Sequence, residues 1–325
     1  MRAIRQYEFG AAEKLRYEEV PDPVPGHDQV RIAVGAAGVH LIDTSIRSGA
    51  VAGPFPLPDL PMTPGREVAG VVDAVGRGVD GAWVGRRVVA HLGAANGGYA
   101  AVAVAAVASL HEIPAGLDLD VAVAAIGTGR TAVGVLDLAA VTAKDVMVVT
   151  AAAGGLGALF VQAGRRAGAV VVGLAGGADK VAVVRAAGAD HAVDYLAPDW
   201  PARVREAVGA ATLVLDGVGG TAGRAALELL DPGGRYVLHG YASGAPTALT
   251  TRDLYTLGIT ASAAIGPRML QRPGGLRELE TRAIAEAAAG HLVPVVGHRF
   301  PLAEAAAAHA VLEARATVGK VVLVP

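Results

Sequence analysis

Ala152, Gly154 and Gly157 form an A-x-G-x-x-G spacing inside the run VMVVTAAAGGLG. Small residues at this spacing let a pyrophosphate approach the backbone and let a helix pack closely on the preceding strand. The open N–H groups of that helix then supply donors and a partial positive charge for the phosphate. Chance spacings are common in a chain with 44 glycines, so the flanking residues decide the reading. Residues 146–150 are apolar and β-branched, as in a strand buried on both faces. A helix fits 158–164, a second strand 170–172, a helix 180–187 and a third strand 191–193. Strand, turn, helix and strand in this order open a dinucleotide-binding unit. The alternative is a packing turn without a ligand.

The elements around this unit divide the chain. Its 325 residues exceed one ordinary core, so two domains are expected. Short strands fit 2–7, 15–19, 29–38, 67–75, 87–90 and 98–104, separated by Pro/Gly-rich stretches at 21–26, 53–65 and 76–78. That pattern predicts a compact, barrel-like β domain. Residues 118–140 turn helical, helices fit 276–289 and 302–314, and 320–324 form a last strand. The expected division is a β domain over 1–120, completed by 260–325, and a nucleotide domain over 121–259. The net charge of −2 and the absence of cysteine give no reason to expect nucleic acid or a membrane, and exclude disulfides and thiolate metal sites. The N-terminus lacks the apolar segment of a signal peptide, so a cytoplasmic protein is expected.

Four stretches resemble one family. They are GVHLIDT at 38–44 with RSG at 47–49, PGREVAG at 64–70, AAAGGLG at 151–157 and LEARATVGK at 312–320. Together with the domain order they resemble the zinc-independent quinone oxidoreductases, the zeta-crystallin-like branch of the medium-chain dehydrogenase/reductase superfamily. The resemblance covers essentially the whole chain. It implies an α/β fold, a Rossmann doubly wound parallel sheet plus a mostly β GroES-like barrel domain.

The resemblance also bears on metal. Zinc-dependent members place ligands at positions matching His40, Arg66 and Gly127. A guanidinium repels Zn²⁺ and glycine offers no ligand, so no metal is expected. A nitrogen-and-oxygen set from His40, Asp43, Glu67 and His91 is the disfavoured alternative. The preferred reading has Glu67 paired with Arg47 or Arg66 and supporting the fold.

NADPH is the expected cofactor. NAD enzymes place an acid at the end of the second strand for the ribose hydroxyls. Ala175 stands there by spacing, and Lys180 follows with a positive charge. By resemblance, Ala153, Gly154, Gly155 and Leu156 hold the pyrophosphate, and Gly173, Gly176, Lys180 and Tyr195 surround the 2′-phosphate. Val218 and the run His239, Gly240, Tyr241 and Ala242 line the track toward the nicotinamide, with Thr128 beneath it and Lys320 reaching over it.

A quinone or an activated C=C develops negative charge on oxygen as it accepts hydride, and a donor there lowers the barrier. The candidates are His40, Thr44, Ser45 and Tyr241, with Asp43 beside them. His40 matches a position that is often Asn in the family, and Ser45 one that is often Tyr. The alternative for His40 is a residue that orders its loop through Asp43. The other histidines, His309 among them, carry no expected role. Three functions follow: quinone reduction, reduction of activated alkenes such as enones or enoyl thioesters, and non-catalytic NADPH or RNA binding. A homodimer is expected, pairing through the strand near 234–238.

Overall fold

The computed structural model describes residues 1–50 and 57–325. The expected turn-rich stretch at 53–65 therefore lies partly outside the described residues. The chain begins with β1 (Arg2–Gln6), β2 (Leu15–Glu19), β3 (Gln29–Val39), α1 (Leu41–Ser48), β4 (Glu67–Val75), β5 (Arg87–His91), β6 (Val102–Ala106), β7 (Leu110–Glu112) and α2 (Leu119–Ala124). A five-residue π turn, Ala125–Gly129, leads into α3 (Arg130–Ala139). Then come β8 (Val146–Val149), α4 (Gly155–Ala167), β9 (Val170–Ala175), α5 (Ala178–Ala186), β10 (His191–Asp194), α6 (Trp200–Val208), β11 (Ala211–Asp216), α7 (Gly220–Leu227) and β12 (Leu230–Leu238). The chain closes with α8 (Thr251–Leu257), β13 (Thr260–Ala263), α9 (Pro267–Leu270), α10 (Gly275–Ala288), β14 (Val296–Pro301), α11 (Ala305–Glu313) and β15 (Lys320–Val324).

Two compact units result: Met1–Gly127 with Pro294–Pro325, and Thr128–Val293. In the first unit, the long strand β3 organises a seven-stranded sheet. β4 runs antiparallel along one edge of β3, while β6 and then β15 share the other. The alternating inward residues Val30, Ile32 and Val34 meet Val68, Val72, Val88, Tyr99 and Leu323 in one core. The final strand β15 thus returns to the β-rich unit.

The second unit is a six-stranded parallel sheet in the order β10-β9-β8-β11-β12-β13. Its central strands β8 and β9 are continuous apolar runs because both faces are covered there. Met147, Val149, Val171, Leu213, Leu215 and Val237 pack with Phe160 on one face. Val148, Val172, Leu174, Val214 and Tyr236 pack with Trp200 on the other.

Three expectations are corrected. Residues 260–293 belong to the second unit, not the first, because β13 extends the parallel sheet beside β12 and α10 packs on α3. The strand expected at 98–104 lies at Val102–Ala106. Gly98 and Tyr99 instead bond to the carbonyls of Gly65 and Pro64, outside any ladder. The strand expected to pair across a dimer is internal, because β12 lies between β11 and β13, and the sheet edges are β10 and β13.

Candidate active site and nucleotide turn

In the first unit, β3 ends at Val39 and His40 becomes the N-cap of α1. The backbone N–H of His40 donates to Asp43 Oδ2 at 2.8 Å, which fixes the turn. His40 Nε2 lies 2.6 Å from Glu67 Oε1 and 2.7 Å from Lys320 Nζ. Lys320 also donates to Glu67 Oε2 at 3.1 Å. Nε2 carries either one proton or one lone pair, so the ring hydrogen-bonds to one of these neighbours at a time.

Glu67 is fully buried and Lys320 nearly so, whereas the His40 side chain keeps 22% exposure. Burial pushes the Glu67 carboxyl up, but His40 and Lys320 outweigh it and hold it well below the usual range. Burial pushes the Lys320 ammonium down, against the pull of Glu67. The group is therefore one carboxylate balanced by one ammonium, with a half-open imidazole in front.

Two glycines make room for it. A Cβ on Gly127 would lie 1.5 Å from Glu67 Oε1, and one on Gly38 would lie 2.3 Å from Oε2. Gly127→Ala is therefore expected to push the carboxylate off His40 and to cost about 1–3 kcal/mol of stability, as overpacking does. Urea unfolding checks this; an unchanged midpoint would show that the carboxylate can move without loss.

Behind α1 lies a second polar chain. Asp43 is buried and accepts from His40 N, from Arg66 Nε at 3.2 Å and from the Tyr99 hydroxyl at 3.3 Å. Tyr99 in turn meets His309 Nε2 at 3.1 Å. With the tyrosine hydroxyl donating to Asp43, the His309 ring donates to the tyrosine oxygen. Burial raises the Asp43 carboxyl, while Arg66 and His40 more than reverse it and hold it low. Burial drives His309 down to about 4. Ser45 is half-buried on α1.

Arg47 is buried and pairs with Glu313, and Arg66 pairs with Asp43. Neither meets Glu67, which corrects the expected pairing. Among the described residues, no group of three or more His, Asp or Glu side chains is arranged to hold a metal ion. The corner beside Glu67 and His40 is taken by the ammonium of Lys320.

In the second unit, the small-residue turn follows β8. Ala151 takes a left-handed φ of 49°, and its carbonyl accepts from Gly154 N. A Cβ on Gly157 would lie 2.3 Å from that carbonyl oxygen, so only glycine lets α4 sit against the turn. Gly154 caps α4 without a side-chain bond, and the first intrahelical bond runs from Ala158 N to Gly154 O. The N–H groups of Gly155 and Leu156 therefore lie ahead of the helical ladder. A Cβ on Gly154 would meet only one atom, the Ala151 carbonyl oxygen at 3.2 Å. An open backbone face with unsatisfied donors fits a pyrophosphate.

The other expected cofactor residues gather at the carboxyl ends of the parallel strands, where ligands of open α/β sheets bind. Ala153 to Leu156 follow β8, Gly176 and Lys180 follow β9, Tyr195 follows β10, and Val218 follows β11. His239, Gly240, Tyr241 and Ala242 follow β12. Gly173 lies inside β9, where a Cβ would strike Val184 and crowd Ala152, so its glycine has a packing cause. Thr128 is buried at the π turn, and Tyr241 is half exposed.

Asp216, at the end of β11, is fully buried. It accepts from Thr150, Tyr236 and Thr247 hydroxyls and from Val218 and Gly219 N–H. It thereby shapes the loop that carries Val218. His239 packs edge-on to Phe160, and burial drives it down to about 4, so its ring is neutral near pH 7.

Comparisons with known proteins agree with both halves. Residues 26–115 match the family described as alcohol dehydrogenase GroES-like domain, and residues 187–323 match the family described as zinc-binding dehydrogenase. The quinone oxidoreductase of Sus scrofa is 32% identical over 329 residues, covering 99% of this chain and 97% of that protein. A 2-haloacrylate reductase of a Burkholderia species is 33% identical, covering 97% and 96%. The Escherichia coli quinone oxidoreductase solved with NADPH superposes with a TM-score of 0.88 at 29% identity, covering both chains fully. The chain belongs to the quinone oxidoreductase branch of the medium-chain dehydrogenase/reductase superfamily.

Proposed function

We propose that this protein is an NADPH-dependent, metal-independent reductase that transfers hydride to quinones. The observation that carries the reading is the closed group of Glu67, Lys320 and His40. It balances its own charge, and it presents one half-open N–H-bearing ring beside a fixed ammonium.

NADPH, when bound, supplies the hydride. The N–H groups of Gly155 and Leu156 hold its pyrophosphate, and Lys180 and Tyr195 favour the 2′-phosphate. Asp43, tied to His40 N, Arg66 and Tyr99, is a positioning residue for the turn that carries His40. His40 serves as the polar contact to the substrate oxygen as charge develops there, and Lys320 adds positive potential behind it. Ser45, in place of an aromatic residue, leaves the substrate side of α1 less filled. The protein acts as a cytoplasmic homodimer in this reading.

A second reading is reduction of activated C=C bonds, favoured by the similarity to a 2-haloacrylate reductase. A panel of quinones, enones, enoyl thioesters and 2-haloacrylates, with NADPH consumption and product both measured, separates the two. Faster turnover of quinones is expected. Alkene reduction with quinones untouched would replace the first reading by the second.

A further inference from the structure

The second strand of the nucleotide unit ends in Ala175, where an acid would select against a 2′-phosphate. The neighbouring strand supplies an acid instead. Asp194, the last residue of β10, is in register with Ala175. Its carboxylate reaches across to the β9–α5 turn. Oδ1 accepts from Gly177 N at 3.0 Å and from Leu196 N at 2.9 Å.

Gly177 is the N-cap residue of α5 at φ 89° and offers no capping side chain, so Asp194 serves the turn from the adjacent strand. The two N–H bonds hold the carboxyl below its usual value, with Arg203 adding a smaller pull. Arg203 itself is paired with Asp199. The nearby charged residues on α5 are Asp179 and Lys180. The turn that the carboxylate orders is the one that carries Gly176 and leads to Lys180. Tyr195 follows Asp194 directly, and its hydroxyl would lie 3.5 Å from a Cβ on Gly176.

We propose that Asp194 is a specificity-determining residue. Its carboxylate orders the Gly177 and Leu196 turns, and it also places a fixed negative charge where a 2′-phosphate is received, so it moderates the preference for NADPH over NADH. The inference rests on the dinucleotide reading of this unit. It concerns one charge, and the two roles of Asp194 separate by chemistry. Asparagine keeps the accepting Oδ1 and removes the charge. Like charges that are still partly open to water repel weakly through solvent and salt, which sets the size of the effect.

The test is calorimetric binding of 2′,5′-ADP and of 5′-ADP to the wild-type protein and to Asp194→Asn. Tighter binding of 2′,5′-ADP by about two- to fivefold is expected in the variant, shrinking as salt is raised, with 5′-ADP unchanged. Thermal unfolding of the variant alone, expected to stay one cooperative transition with a slightly lowered midpoint because a neutral amide accepts the two N–H bonds less strongly, checks that the turn is kept. Unchanged or weaker 2′,5′-ADP binding by a well-folded variant would overturn the proposal while leaving the nucleotide site intact. Failure of the wild-type protein to bind either nucleotide would overturn the dinucleotide reading, and the proposal with it.

Discussion

Lys320→Met is expected to destabilise the first unit by about 3 kcal/mol, because it leaves the carboxylate of Glu67 buried without its ammonium. Glu67 has no exposed surface, and Lys320 Nζ is 3.1 Å from it. His40 remains beside Oε1, which keeps the cost toward the lower end for a broken buried pair. Glu67→Gln alone strands the ammonium and is expected to cost a similar amount. The double variant should be milder than the sum of the two, because removing both charges also removes both desolvation costs. Urea unfolding of the four proteins measures this coupling. Strict additivity would show that the two groups do not depend on one another.

Acidification from pH 7 to 4.5 is expected to remove about 2–3 kcal/mol of stability for each of two buried histidines. Burial holds His309 and His239 at about 4 in the folded chain, against an ordinary value of 6.5. The unfolded chain binds protons at these rings below about 6.5 while the folded chain does not, so stability falls as pH drops through that window. The carboxylates act later. Asp43 and Glu67 lie below their ordinary values when folded, so the stability they contribute is present above the unfolded carboxyl range and is lost below it. His309→Gln can still meet the Tyr99 hydroxyl and does not titrate. It should flatten the slope between pH 4.5 and 6.5 in unfolding experiments. An unchanged slope would place the acid sensitivity elsewhere.

The parallel strands were legible in the sequence because both faces of that sheet are buried. Val146–Val149 and Val170–Ala175 are therefore continuous apolar runs. The end of the sheet was not. β13 is the run TASA, whose small residues carry no strand signal, so nothing in the sequence marks this segment as part of the parallel sheet. α1 is equally hard to see in the sequence, since its eight residues mix polar and apolar types.

At the site, the turn at 151–157 was legible because each glycine has a local steric cause. The partner of Glu67 was not, because Lys320 lies 253 residues away and two arginines stand closer in sequence. Gly38 and Gly127 were the available signal. Both are glycines for want of room beside a carboxylate, a reason visible only once β3, β4 and the π turn are assembled. His309 gives no signal in the sequence, because a lone histidine on an Ala-rich helix shows nothing of the Tyr99 it meets or of the Asp43 beyond it.

The most direct test of the central claim follows the nicotinamide absorbance of NADPH and of NADH with a simple para-quinone, with and without excess chelator. The predicted result is faster oxidation of NADPH than of NADH, undiminished by the chelator. Loss of activity on chelation would contradict the assignment of the Glu67 corner to Lys320. No oxidation of either nucleotide would contradict quinone reduction itself.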